Sequence, residues 1–483
     1  MNVIFFNSIY TLIPQRSLGP YLLKHYLTKR GYTSQVIDFC QEWTPEQLLL
    51  LFKKFAAADT KVLALSSTFW FDETHTFYTY DNGIPPNIYK SLKLIKQEFP
   101  ELKIILGGAH SSYIRYRIED IDYVFIGESE DTLPELLDHW TLGTEEPPRE
   151  INPITNKITY RNPINKTYQI QSCDFDWQDN DCIVHKEVLP IETARGCIFK
   201  CSFCAFPHLG KKKFDYLKPN DQIQRHIMRN YERWQVTSYI MLDDTFNDSE
   251  FKIDGFLDIT RNLPFKIEYA AYIRADLVHR FEGMAEKLAE TGLRGAFFGI
   301  ESLHPKASQI VGKGWSGRNA REFVPHVVHN VWKNKITAHC GLIVGLPGET
   351  QEDLNSTLIW ANDNNLNIIF FGLQVTNNLH ERSYVSEFER NAEKYGFKFD
   401  AQGKWYNDTW NRASVLEYSA KLNTQRLRMN YSGFNHVALH GLGYTNEEVM
   451  RQHQDRIVKN NPDFKLRKQR FLAEYWKKIN KIS

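Results

Sequence analysis

Long apolar runs are missing from this 483-residue chain. No stretch of about 18 consecutive apolar residues occurs, which excludes a membrane-spanning helix on sequence grounds. Neither sign of charge prevails: 59 basic residues face 58 acidic ones, for a net charge of +1. That balance leaves no electrostatic footprint for nucleic acid or for an anionic membrane surface, and neither partner is expected. The first residues lack a basic segment followed by an apolar one and open on the strand-like run Val3-Ile4-Phe5-Phe6, so a secretory leader is not expected. Cysteine is scarce, with seven in all. Three of them crowd into one run, which fits a reducing cytoplasm better than a disulfide framework. No internal repeat is visible.

What is present is a 42% apolar, 14% aromatic composition, enough for a sizeable core at a length that calls for two or three domains. Residues 1–140 alternate strand and helix signals. The strands are Val3 to Asn7, Gln35 to Asp38, Lys61 to Ser66, Lys103 to Gly108 and Tyr123 to Gly127. The helices are Leu18 to Thr28, Pro45 to Ala58 and Ile88 to Phe99. Such alternation predicts an open, doubly wound parallel sheet. Residues 141–187 hold Pro147-Pro148, Asn152-Pro153 and Asn162-Pro163 and read as a linker with a small hairpin. Strand–helix alternation resumes over 188–380, with strands at Ser238 to Leu242, Lys266 to Ala271, Gly295 to Ile300, Thr337 to Val344 and Ile368 to Leu373. This predicts a partial or full barrel with its site at the strands' carboxyl ends. Residues 381–483 turn polar, aromatic and helical. Trp405 to Trp410 and Asn430 to His436 are expected over the barrel mouth as a substrate or cap region, and the basic amphipathic stretch Lys465 to Lys481 as a cap on the barrel.

The three-cysteine run reads Arg195-Gly196-Cys197-Ile198-Phe199-Lys200-Cys201-Ser202-Phe203-Cys204. Three thiolates suit three corners of a cubane iron–sulfur cluster and leave one iron open to another ligand, which points to catalysis rather than electron storage. The bland alternative is structural zinc, but zinc usually pairs one Cys-x2-Cys with a second pair, and the offset of Cys173 and Cys182 matches no common pattern.

The run resembles the signature of the radical S-adenosylmethionine (SAM) superfamily, Cys-x3-Cys-x-aromatic-Cys, with Phe203 as the aromatic residue. The resemblance is strongest over 188–375 and implies a partial (β/α)6 barrel. It implies a [4Fe-4S] cluster on Cys197, Cys201 and Cys204, SAM chelating the open iron, and a 5′-deoxyadenosyl radical after one-electron cleavage. Asp243 and Asp244, in Tyr239-Ile240-Met241-Leu242-Asp243-Asp244-Thr245-Phe246, match the motif that accepts hydrogen bonds from the SAM ammonium. A helix N-cap with solvated acids is the other reading. Arg274, in Ile273-Arg274-Ala275-Asp276, matches the arginine that meets the SAM carboxylate, against a plain surface arginine. Glu301, in Gly299-Ile300-Glu301-Ser302, is assigned to the ribose hydroxyls or to a salt bridge with Lys313 or Arg318. Gly341-Leu342-Ile343-Val344-Gly345-Leu346-Pro347-Gly348-Glu349-Thr350 matches the strand bordering the adenine. Cys340 stands either as a hydrogen-atom donor or as a core thiol.

The first 140 residues resemble the cobalamin-binding domain that precedes this barrel in one subclass. The resemblance places Ser66 and Thr68 at the nucleotide loop of a corrinoid, and Gly107 and Gly108 beside its dimethylbenzimidazole tail. The Asp-x-His-x-x-Gly motif that gives cobalt a histidine is absent, as it is in many members of the subclass. Aromatics from Phe69 to Tyr80 either pack on a corrin or fill its place, with His75 and His110 as candidate polar contacts. The subclass implies a cobalamin-dependent methyltransferase acting on a small molecule or peptide, fed by an electron donor such as flavodoxin or ferredoxin. The alternative is a radical cyclisation, rearrangement or oxidation without methyl transfer. An iron–sulfur sensor needs no SAM pocket, and transfer-RNA methylthiolation needs a second cluster domain and a basic module that are not evident.

Overall fold

The computed structural model describes the chain except residues 1, 9–12, 71–83, 110, 112–118, 153–155, 163–169, 171–172, 207–208, 212–213, 314, 316, 379–383, 428–431, 453–460 and 483. His75 and His110, most of the Phe69-to-Tyr80 aromatics, and Asn430 and Tyr431 therefore lie outside the described residues. Short aliphatic runs become buried strands, and the amphipathic stretches between them become covering helices. The first sheet contains β1 (Val3–Phe6), β2 (Ser34–Ile37), β3 (Val62–Ser66), β4 (Lys103–Gly107), β5 (Tyr123–Ile126), β6 (Glu150–Ile151) and β7 (Ile158–Arg161). Its order is β2-β1-β3-β4-β5-β7-β6, all parallel except the β6/β7 pair. The expected hairpin within 141–187 therefore forms, and β7 extends the sheet in parallel beside β5. Strand order reverses between β1 and β3, the switch point at which open sheets take ligands. The covering helices form where the pattern placed them. Pro45–Phe55 is closed by a Thr44/Gln47 capping box and buries Leu48, Leu51, Phe52 and Phe55.

The second sheet contains β8 (Leu189–Ile191), β9 (Ser238–Met241), β10 (Glu268–Ile273), β11 (Leu293–Glu301), β12 (Thr337–Val344) and β13 (Ile368–Gly372), in sequential order and all parallel. This is the expected six-stranded partial barrel. Its free edge at β13 is covered by the helix Arg412–Thr424, whose Asn423 amide accepts from Phe370 N (3.0 Å) and donates to Phe370 O (2.8 Å). One side-chain amide thus satisfies the edge strand as a neighbouring strand would.

Two C-terminal elements depart from expectation. The helix Gly433–His440 does not cover the mouth but enters the barrel from beneath. Its His436 bonds Thr337, the first residue of β12 (2.6 Å), and its His440 bonds Ser238, the first residue of β9 (3.3 Å). Gly433 packs so closely on Gly295 of β11 that a Cβ on either would collide with the other's backbone. The physical reason is that a six-stranded barrel of modest side chains leaves a gap, which a glycine-led helix fills. The basic helix Pro462–Lys481 does not cap the barrel either. It lays Phe464, Phe471, Tyr475 and Ile479 on the first sheet's outer layer, with Tyr475 stacked on Trp43 (6.0 Å) and its hydroxyl accepting from Asp38 N (2.8 Å). Its lysines fall on the solvent side, as amphipathicity requires. No described helix is long and apolar enough to cross a membrane.

A buried ionic cluster joins the two sheets. Arg16 pairs with Asp38 (2.5 Å) and Glu187 (2.5 Å), donates to Asp181 O (2.7 Å) and Cys182 O (3.0 Å), and also donates to the Tyr21 hydroxyl. Both its carboxylate partners are fully buried. Breaking such a pair from one side leaves charge without a partner. Replacing Arg16 with Met is expected to lower unfolding stability by about 3–5 kcal/mol, read from the urea midpoint. A loss below about 1 kcal/mol would show that the cluster is not what holds the sheets together.

Candidate functional site

The site grows from the end of β8. Asp243, just past β9, accepts from Thr193 N (2.8 Å), Ala194 N (3.0 Å) and the Thr193 hydroxyl, and pairs with Lys252 (2.8 Å). Those bonds fix the chain two residues before Gly196, whose φ of 106° turns it into the cysteine loop. Ser202 then pins the loop from within: its N–H donates to Val311 O (3.1 Å), its hydroxyl to Ile310 O (2.8 Å), and its carbonyl accepts from Phe388 N (2.9 Å).

Cys197, Cys201 and Cys204 line one cavity of about 440 Å³ at the carboxyl ends of the barrel strands, together with Phe203, Asp244, Arg274 and Glu301. Cys197 Sγ lies 3.4 Å from Thr245 Oγ1. Arg274 Nη1 donates to Cys201 Sγ (3.5 Å), and its guanidinium lies over the Phe199 ring (3.7 Å). Burial pushes the Cys197 thiol above its ordinary value and that of Cys204 up to about 12. Unligated, these thiols keep their protons, so binding metal must release them. Among the described residues no three Cys, His, Asp or Glu side chains close around one metal ion. Three thiols sharing one cavity fit a cluster with one iron per thiol.

The remaining sequence-predicted residues divide. Asp244 lines the cavity, whereas Asp243 does not: it is spent on the backbone of 193–194 and on Lys252, and so is corrected from a cofactor contact to a structural anchor. Arg274 is no surface arginine. It is bound bidentately by Asp276 (3.0 and 2.7 Å), which orients it beside Cys201. Glu301 takes the salt-bridge alternative, with Lys313 (3.1 Å), at a φ of 66°. That left-handed conformation strains a residue with a side chain and marks a held position. In the Gly-Leu-Pro-Gly segment, Gly345 is demanded by Val415 and Trp405 packing against it. Trp405 and Trp410 therefore flank the end of β12 and do not lie over the cavity, with Trp410 Nε1 donating to Glu349 O (2.7 Å). Cys340 alternates away from the inward residues Thr337, His339 and Gly341 and is a core thiol, pushed by burial up to about 12.

Ser66, Thr68, Gly107 and Gly108 gather at the switch-point end of the first sheet, where Ser66 Oγ lies 3.4 Å from Thr68 Oγ1. Gly107 keeps open space among the described residues, where a Cβ would meet Phe125 Cβ at 4.0 Å. Gly108 does not: at φ 94° its missing Cβ leaves room for Ser67 N (2.8 Å) and Thr68 N (2.9 Å), so the turn itself requires a glycine there. The two carboxyl edges face each other. Arg195, leading into the cysteine loop, bridges Glu192 (2.7 Å) and Glu130 of the loop after β5 (2.8 Å). Tyr384 stands between Glu128, Glu130 and Asp244, its phenol held well above the ordinary value by burial and then by those acids.

Ser386 and Glu389 line the cavity without having been singled out in the sequence. Their Ser-x-x-Glu capping box, closing the helix Glu387–Arg390, was legible as a helix start but not as part of a site. Ser202 carried no local signal, since all its partners are distant in sequence.

The radical SAM superfamily model matches residues 191–361. An uncharacterised methyltransferase of Pyrococcus horikoshii is 25% identical over 369 residues, covering 71% of this chain and 73% of that one. Among solved structures, the radical SAM methyltransferase TsrM of Kitasatospora setae, with cobalamin and a [4Fe-4S] cluster bound, superposes with a TM-score of 0.65 at 14% identity, covering 95% of this chain and all of that one (100%). The cobalamin-dependent radical SAM enzyme OxsB with aqua-cobalamin bound does so at 0.60 and 14%, covering 99% and 80%. At these identities the structures share the fold with this chain, over both of its sheets.

Two substitutions separate the adjacent acids. Asp243→Asn strands the buried Lys252 and is expected to cost about 3 kcal/mol and to lower iron retained per chain after reconstitution. Asp244→Asn is expected to keep stability and iron while weakening SAM binding in equilibrium dialysis; the reverse pattern would reverse the assignment. Glu349, buried and accepting from Ser302 (2.5 Å), has its carboxyl pushed up by burial to about 8. Its folded value lies above the unfolded one, so stability falls as pH rises from about 4.3 toward 8. Glu349→Gln is expected to remove that slope, gaining on the parent by on the order of 1 kcal/mol per pH unit at most across the window. Parallel urea-midpoint profiles would refute it.

Proposed function

The barrel of this chain is a radical SAM domain, and on that premise we propose that the protein is a cobalamin-dependent radical SAM methyltransferase acting on a small molecule or peptide. The observation that carries this reading is the opposition of two carboxyl edges. A switch-point crevice with hydroxyls at Ser66 and Thr68 and open space at Gly107 faces a cysteine-lined cavity across the Arg195–Glu130 bridge. The relatives' names and the whole-chain likeness to two cobalamin-binding structures support it.

When bound, the cluster and SAM supply one-electron hydrogen abstraction, and the corrinoid supplies a methyl group. Cys197, Cys201 and Cys204 would hold the cluster. Arg274, oriented by Asp276, puts positive charge beside Cys201 and tempers the charge of the ligated thiolates. Asp244 would accept from the SAM ammonium. Arg274 and Lys313 are the cavity cations that would meet the carboxylate of SAM, and Glu301, held by Lys313, would serve its ribose. Phe199 and Phe203 line the cavity beside the cysteines and keep water from them. Ser66 and Thr68 would bond the corrinoid's nucleotide loop, with Gly107 beside its tail and Gly108 shaping the turn. Reduction would come from a cytoplasmic one-electron donor of the flavodoxin or ferredoxin kind.

Anaerobically purified protein, reconstituted with iron and sulfide, is expected to retain hydroxocobalamin through gel filtration and to form deoxyadenosine only with all three cysteines present. Product mass spectrometry should show the gain of one methyl. Failure of any corrinoid to co-elute would overturn the methyltransferase reading, leaving radical chemistry without methyl transfer.

A further inference from the structure

Parallel barrels of this kind are normally filled by their own side chains. In this one a helix fills the lower half. Ile240, Ala270 and Val437 pack together there with the inserted helix Gly433–His440, so Ile240 and Ala270 point inward. By strand alternation, Leu242 and Tyr272, two residues further on, also point inward. Gly295 touches Gly433 of the same helix, which turns Phe297 inward; Phe371 reaches Phe297 across the barrel (6.3 Å). At the next level up the inward positions are Gly299, whose open side is taken by Glu301 and Lys313, and Gly341, into whose space Phe297 leans. A Cβ on Gly341 would lie 2.6 Å from Phe297 Cζ. Large aromatic side chains are still left open inside the barrel: Tyr272 is 41% exposed and Phe371 46%, while Phe297 stacks one face on His339 (5.6 Å). Tyr272, Phe297 and Phe371 line the same cavity as the cysteines. Their rings are tilted against one another, with Tyr272 5.4 Å from Phe297 at 67° and 4.7 Å from Phe434 at 46°. Together they form a floor of faces and edges below the cysteine loop.

We propose that this floor is the substrate subsite and that it takes a flat aromatic ring system, seated inside the barrel beneath the cysteine loop. The inference rests on the reading of the barrel as a radical SAM site and adds the chemical class of what reacts there. Open aromatic faces and edges favour a planar ring over a puckered one of equal size, because stacking and edge-to-face contacts add to the burial both rings share. Asp244, Lys313, Ser386 and Glu389 bring polar groups to the same cavity, while Tyr272, Phe297 and Phe371 offer it apolar faces and edges.

The test compares 2-naphthol with its saturated counterpart decahydro-2-naphthol, titrated calorimetrically into cluster-reconstituted protein saturated with SAM and free of corrinoid. The expected result is 2-naphthol binding about tenfold more tightly than the saturated alcohol. Phe371→Leu and Phe297→Leu should each erase most of that preference while leaving the cluster's visible absorption and the SAM affinity unchanged. Equal affinity for the two alcohols, or no binding of either, would overturn the proposal. So would 2-naphthol binding to SAM-free protein but not to SAM-saturated protein, which would make the floor an adenine site. Cluster absorption and SAM affinity are read separately, so loss of either would indict the radical SAM reading and not the ring subsite.

Discussion

Arg16 is the constraint on which the arrangement of the whole molecule depends. Its guanidinium is fully buried between Asp38, at the end of β2, and Glu187, two residues before β8, and its remaining donors go to the Asp181 and Cys182 carbonyls and to Tyr21. Tyr475 of the C-terminal helix closes the cluster from outside. Burying three charges is not by itself a gain over apolar packing, because desolvation takes back much of the attraction. What the cluster does is choose a geometry: only one placement of the segment 181–187 against the first sheet satisfies all five donors of the arginine. That placement turns the carboxyl edge of the barrel toward the carboxyl edge of the first sheet.

From there the site follows in short steps. Asp243 ties the end of β9 to the backbone after β8, Gly196 turns the chain, and Ser202 secures the cysteine loop to Ile310 and Val311 and to Phe388. Arg274 is held by Asp276 so that its remaining edge meets Cys201. Each polar group near the cysteines is thus positioned by another polar group behind it, the arrangement that keeps a metal site in shape before metal arrives.

Much of this was legible in the chain. Aliphatic runs marked β12 over its full length and β9, β10, β11 and β13 to within a few residues, because a doubly covered parallel strand must be apolar along its length. The spacing of Cys197, Cys201 and Cys204 carried the centre of the site, since three thiols so close in sequence cannot lie far apart. Local pattern failed where side-chain direction decided the role. Asp243 and Asp244 are indistinguishable as neighbours in sequence, yet one faces the backbone of Thr193 and the other the cavity. Gly107 and Gly108 look alike too, and only the approach of Ser67 and Thr68 shows which one the turn requires. The C-terminal helices were recognisable as helices but not by destination, because an amphipathic face says that it will be covered and not by what.

The sequence alone therefore determined the two-sheet α/β plan, the strand order's local alternation and the cysteine centre, all of which rest on contacts between residues near in the chain or on patterns repeated every two or four residues. Tertiary structure decided which acid joins the site, that Glu301 pairs with Lys313, that the helix Gly433–His440 fills the barrel from below, and that Tyr272, Phe297 and Phe371 make an open floor. Those outcomes depend on direction and on partners tens to hundreds of residues away. No local spacing encodes them, because they exist only once the sheets have closed and Arg16 has set them edge to edge.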